Sequence, residues 1–248
     1  MNKYDLIKAY QKECFNNYKR SIGYPEYYSY LYGNPINVQV PIETTLGKFM
    51  IVGAYPSAKF YTLDGISDVP LVDNDSPFSD ESYFDGSRVR TIPSGKELNE
   101  VILSQIGIHR EECWITDLVK VFLFKQGHVD RYLKLGRADI RQNRSDFDDF
   151  AKKSITWLVR EIELSMPKVL ILLGVEVTSV LFKTDEVNAK ELLDGTVHDL
   201  LLDDIKVQSI CLPHPGILMK PSLRNSWPVR FRDEIAPNAQ KEIHKLRQ

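Results

Sequence analysis

Short apolar runs recur along the chain at wide spacing: "KFMIVGAYP" (48–56), "ECWITDLVKV" (112–121), "KVLILLG" (168–174) and the second arm of "VHDLLLDDIKVQSICLP" (197–213). Each is too short for a buried helix and runs into a turn or loop, which is the pattern of strands covered on both faces. The segments between them carry the helical period instead. Residues 3–20 place Leu6, Ile7, Tyr10, Cys14, Phe15 and Tyr18 on one stripe. A Ser-x-x-Glu box (Ser94, Glu97) opens a helix with Leu98, Val101, Ile102 and Ile106 on its buried face. Further helices are expected over about 146–165, stopped by Pro167, over "VEVTSVLF", and over about 232–247. The stretch 197–213 folds back on itself at Asp203-Asp204 as a hairpin.

Three segments lack a clear period. The tyrosine-rich "YPEYYSYLYG" is expected to pack an N-terminal arm on the body. Residues 57–93, rich in Asp, Ser, Gly and Pro, are expected to form a long functional or disordered loop. A basic loop is expected to carry Arg131, Lys134, Arg137, Arg141 and Arg144.

Strands alternating with helices predict a three-layer α/β/α fold around a central, mostly parallel four-stranded sheet. The expected organisation is a single domain, with residues 1–47 as the arm and 48–248 as the α/β body. Ligands of such sheets bind beyond the carboxyl ends of the strands. "GAYPS", "TDLVK" and "HPGILMK" leave those ends, so they should converge although far apart in sequence. His214 lies between Pro213 and Pro215. The two prolines restrict its backbone, as befits a side chain that must be aimed.

Composition narrows the function classes. Among 248 residues, 32 Lys and Arg face 34 Asp and Glu, so any nucleic-acid surface must be a local patch. No apolar run reaches the roughly 18 residues of a membrane span, and the polar start predicts no secretory leader. Cys14, Cys113 and Cys211 are scattered without a CxxC. That argues against a disulfide framework, a zinc knuckle and an iron–sulfur cluster, and for a metal-free, cofactor-free cytoplasmic protein. A monomer is expected. A GxSxG elbow and a phosphate-binding glycine loop are both missing, which weakens hydrolase and nucleoside-triphosphate readings.

The three strand-end segments together resemble the uracil-DNA glycosylase superfamily. Its first motif, of the form GQDPY or GEAPG, is matched by Gly53-Ala54-Tyr55-Pro56-Ser57. Its I-T-N-x-V-K strand is matched by Ile115-Thr116-Asp117-Leu118-Val119-Lys120, and its Leu-Gly strand end by Leu173-Gly174. Its H-P-S-x-L motif is matched by His214-Pro215-Gly216-Ile217-Leu218, and its base-stacking Pro-Phe by Pro77-Phe78. The matches run in order from about 50 to 220.

The resemblance implies an enzyme that flips a uracil-like or damaged base from DNA, single-stranded or duplex, and hydrolyses its bond to the sugar without a metal. His214 would donate to the base carbonyl, with Tyr55 beside it. Gly53, Ala54, Phe78 and Asp117 would line the base pocket. Leu218 would be the wedge that fills the vacated stack. Gly216, Lys220 and Arg224 would face the DNA, helped by Arg230 and Arg232 interleaved with Trp227 and Phe231. Two departures stand out. The first-motif acid, which positions the water in the family, is missing at Ala54 and Tyr55. Asp64, Asp68, Asp73 or Asp75 could replace it, and some branches of the family cut without it. The base-reading Asn is Asp117, which only accepts when ionised. Asp117 is expected first to turn away and pair with Lys120 or an arginine, and second to be protonated by burial; the third outcome is a base whose amino group gives to the carboxylate. The alternatives are an inactive nucleic-acid-binding relative and an enzyme acting on free nucleosides.

Overall fold

The computed structural model of the chain describes residues 2–220, 222 and 224–248. Among the described residues nine strands are formed: β1 (Phe49–Gly53), β2 (Ala58–Leu63), β3 (Ile66–Asp73), β4 (Ser82–Phe84), β5 (Val89–Thr91), β6 (Cys113–Asp117), β7 (Val169–Leu173), β8 (Val197–Leu202) and β9 (Ile205–Leu212). Five of them make the central sheet in the order β6-β1-β7-β9-β8. β6, β1, β7 and β9 run parallel, and these are the four strands the apolar runs predict. The fifth, β8, is the first arm of the expected hairpin and pairs antiparallel with β9 at the edge.

Side chains on a strand alternate between faces, so each parallel strand feeds both layers. Met50, Val52, Trp114, Leu170 and Leu172 join the core under the helices Lys3–Ile22 and Phe147–Ser165. Phe49, Ile51, Ile115, Ile171, Leu173 and Leu212 join the core under the helix over 93–106 and the C-terminal helix over 227–247. The result is the three-layer α/β/α arrangement.

The N-terminal helix buries Ile7, Tyr10, Cys14, Tyr18 and Ile22, while Leu6 and Phe15 of the expected stripe are exposed. A spacing of three, then four, keeps the buried set on one face; Leu6 and Phe15 lie off it. Of the tyrosine-rich segment, Tyr24, Tyr28 and Tyr30 are buried and Tyr27 and Tyr32 are exposed. The Tyr24 hydroxyl donates to the Phe122 carbonyl at 2.8 Å and the Tyr30 hydroxyl to Asp73 at 2.7 Å.

Four expectations need correction. Residues 57–93 are largely two hairpins, β2/β3 and β4/β5, rather than a loop. The first turns at Asp64-Gly65, both at positive φ, which is a hairpin signal in its own right. The capping box does not form: the helix starts at Pro93, so Ser94 falls inside it and its buried hydroxyl has no partner. Arg131 and Lys134 sit on a helix, Gln126–Lys134, not in a loop. The C-terminal helix begins at Trp227, with Pro228 in its first turn, five residues before the expected start.

Candidate active site

Backbone hydrogen bonds tie the strand exits in two pairs, and β1 and β7, neighbours in the sheet, set the pairs side by side. Leu118 N–H donates to the Gly53 carbonyl at 2.8 Å and Val119 N–H to that of Ala54 at 2.9 Å, which joins "GAYPS" to "TDLVK". Gly174 N–H donates to Leu212 at 2.8 Å and holds the β7 exit against the β9 exit. The convergence read from the strand ends is therefore built into the sheet.

His214 caps the short helix Pro215–Leu218, and its Nδ1 accepts the Gly216 N–H at 3.0 Å. An imidazole nitrogen that accepts carries no proton, so the neutral ring keeps its hydrogen on Nε2. His214 is exposed at the surface, although protein lies close around its ring. Lost hydration pushes its pKa below the usual histidine value, and only the nearby Glu176 opposes this, while Arg144 and Lys220 reinforce it. His214 is thus a neutral, aimed N–H donor.

Gly53, Asp117 and Phe78 pack against one another. Asp117 and Gly53 are register partners on β6 and β1. A methyl group on Gly53 would collide with the Asp117 carboxyl and the Phe78 ring, so only glycine leaves room for both. Phe78 and Ala54 are buried, and Phe78 is held at a φ of 53°.

Asp117 does not pair as expected. Lys120 is taken by Glu161 at 2.7 Å, by the Thr116 hydroxyl at 2.6 Å and by the Asp117 backbone carbonyl at 3.0 Å. The Asp117 carboxyl forms no ion pair among the described residues. Burial pushes its pKa up to about 7, against the pull of Lys120 and with the help of Glu161.

Tyr55 is half-buried, with the Arg144 guanidinium 5.0 Å from its ring centroid and the Phe147 ring at 5.8 Å. Burial pushes its pKa up to about 12, so the phenol stays neutral and is a poor base. A cleft of about 440 Å³ opens beside it, lined by Tyr55, Arg144, Phe147, Glu176, Ser179 and Thr184 among others.

The candidate loop acids are engaged elsewhere or sit apart. Asp73 accepts from Tyr30 and from Asn37, Asp68 binds Arg90 at 2.8 Å, Asp75 binds Lys59 at 2.9 Å, and Asp64 occupies a hairpin turn. Leu218 is buried in the core beneath the C-terminal helix and is not presented as a wedge; Ile217 and Met219 beside it are exposed. Helical geometry turns the middle residue of the three inward.

Lys220 and Arg224 are exposed, and Gly216 is partly so. Arg230 and Arg232 are neutralised locally by Glu234 and Asp233, and Phe231 is buried. The basic patch is made differently. Phe124 and Asn143 hold each other through the Phe124 N–H to Asn143 Oδ1 bond at 2.7 Å and the Asn143 N–H to Phe124 carbonyl bond at 3.0 Å. This sets Lys125 beside Arg144. The fields of Arg144, Lys220 and Arg131 add to burial in lowering the Lys125 pKa. Sequence reading missed Lys125 and Glu176. Glu176 had a signal, because it follows the Leu-Gly strand end by two residues.

The fold is α/β, with Asp117 and His214 at the carboxyl ends of parallel strands, Phe78 packed against the neighbouring Gly53, and a cleft beside Tyr55 and Glu176. The family model for the uracil DNA glycosylase superfamily matches residues 44–233, and the chain belongs to that superfamily. No curated protein matches it. Among the described residues no helix is long and apolar enough to cross a membrane, and no group of three or more His, Cys, Asp or Glu side chains could hold a metal ion.

Proposed function

We propose that the protein is a DNA N-glycosylase that flips out a uracil-like base and hydrolyses its bond to the sugar. What supports this reading is His214, whose Nδ1 accepts the Gly216 N–H and leaves Nε2–H free to donate, together with a buried Asp117 at the end of a parallel strand whose carboxyl is pushed up to about 7. A protonated carboxyl offers one donor and one acceptor, as an asparagine amide does. It can give to a uracil carbonyl and take from the neighbouring ring N–H. The C–N bond then breaks with its electron pair on the base, and His214 Nε2–H holds the carbonyl oxygen that gathers the charge. Phe78 packs on the base. Lys125, Arg144, Lys220 and Arg224 take phosphates, and Ile217 and Met219 fill the vacated stack.

The test is incubation with oligonucleotides carrying uracil, hypoxanthine, xanthine or oxidised pyrimidines, with free base identified by mass spectrometry. Uracil release should depend on pH with a definite sign. Below about pH 7 Asp117 is protonated and donates; above it the carboxylate opposes a carbonyl oxygen, a mismatch worth roughly 1–3 kcal/mol or more. Wild type should therefore release uracil faster at about pH 6 than at about pH 8, by roughly four- to tenfold. Asp117→Asn should remove that dependence and gain activity at the higher pH. Robust wild-type cleavage of uracil at about pH 8, unimproved by the substitution, would sink the assignment of Asp117.

A further inference from the structure

The exit of β1 offers Ala54 and a neutral Tyr55 where a carboxylate would orient water, and the loop aspartates are occupied or remote. One carboxylate nevertheless faces both strand exits, and it comes from the neighbouring strand. Glu176 lies two residues beyond Gly174, in the first turn of the helix Val175–Phe182. A Cβ placed on Gly174 would lie 3.3 Å from His214 Cβ and 3.4 Å from Glu176 Oε2. The carboxylate and the imidazole thus flank the same glycine, which sits at a φ of 101°. The other oxygen, Oε1, faces Arg144 at 3.8 Å, and Arg144 in turn covers Tyr55. The Glu176 side chain is 49% exposed, so water in the cleft reaches it.

Glu97 is the other carboxylate near His214. It lies beyond Gly216, on the Nδ1 side already taken by the Gly216 N–H, and within the field of Lys220. Glu97 does not line the cleft beside Tyr55. Glu176 alone of the two lines the cleft beside Tyr55, and its Oε2 reaches the Gly174 that His214 also flanks.

We propose that Glu176 is the carboxylate that orients and deprotonates the attacking water, supplied from the exit of β7 in place of the exit of β1. This rests on the glycosylase reading. The water oxygen forms a bond to the sugar C1′ as the C1′–N bond breaks. The electron pair leaves with the base, His214 Nε2–H holds the base oxygen, and the water proton passes to Glu176. While the sugar is oxocarbenium-like, the carboxylate also faces its positive charge.

Two measurements test this on the full chain. One compares binding of an oligonucleotide carrying a cationic pyrrolidine abasic analogue with one carrying the uncharged tetrahydrofuran analogue. Wild type should prefer the cation at least about tenfold. Glu176→Gln should abolish the preference without changing affinity for the tetrahydrofuran DNA, and Glu176→Asp should keep part of it. The other measures base release, which should fall roughly 100-fold or more in Glu176→Gln. A preference absent from wild type, or intact in Glu176→Gln, overturns the role of Glu176 even if bases are released. A Glu176-dependent preference in a protein that releases no base from the panel supports the placement of the carboxylate and overturns the glycosylase reading instead.

Discussion

Replacing His214 by Ala should lower base release roughly 100- to 1,000-fold while affinity for undamaged single-stranded DNA changes by no more than about twofold. The reason is where the charge develops. His214 Nε2–H meets a carbonyl in the bound state and an anionic oxygen in the transition state, so the interaction grows as the bond breaks. The donor is already aimed. Pro213 and Pro215 restrict its backbone and the Gly216 N–H holds its Nδ1 at 3.0 Å, so no reorganisation is needed as the reaction proceeds. The cations proposed to take phosphates stand on other residues, which is why binding should survive. The substitution leaves the Gly216 N–H to solvent at the helix start, a small cost for folding. A His214→Ala protein that cuts as well as wild type would reduce His214 to a helix cap.

The parallel sheet was legible because burial on both faces leaves a continuous apolar run, and no polar residue interrupts "FMIV" or "VLILL". The site's location was legible for the same reason, since a strand that ends fixes a point in space. Hairpins β2/β3 and β4/β5 were not. Their strands are half-exposed and polar, with β2 showing only Ala58 fully buried, so composition looks like that of a loop. Leu218 shows the limit of motif matching: its place in the motif gives no direction, and a single turn of helix decides between Leu218 and Met219. The partner of Lys120 was hidden by distance. Asp117 is near it in sequence, but Glu161 reaches it from a helix 41 residues on, and no local pattern encodes that choice.

That choice has a consequence for both stability and chemistry. Glu161 is wholly buried and accepts from Lys120 Nζ at 2.7 Å, from the Tyr10 hydroxyl at 2.5 Å and from Trp114 Nε1 at 3.2 Å. It joins the N-terminal helix, strand β6 and the helix Phe147–Ser165 at one point. Breaking a buried ion pair from one side strands the other charge, so Glu161→Gln should cost about 3–5 kcal/mol of unfolding free energy, read as a lowered urea midpoint at an unchanged slope. Replacing both partners, with Lys120→Met and Glu161→Leu together, should recover much of the loss because no charge is left unpaired. The chemical effect follows from sign. Glu161 raises the Asp117 pKa and Lys120 lowers it. With Glu161 neutralised the ammonium acts alone, so Asp117 ionises at a lower pH and the fall in uracil release moves below the pH of about 7 set in wild type. The double variant removes both fields and should return the fall towards its original position. A Glu161→Gln protein with an unchanged urea midpoint and an unshifted pH profile would show that the Lys120–Glu161 pair neither holds the N-terminal helix to the sheet nor sets the charge of Asp117.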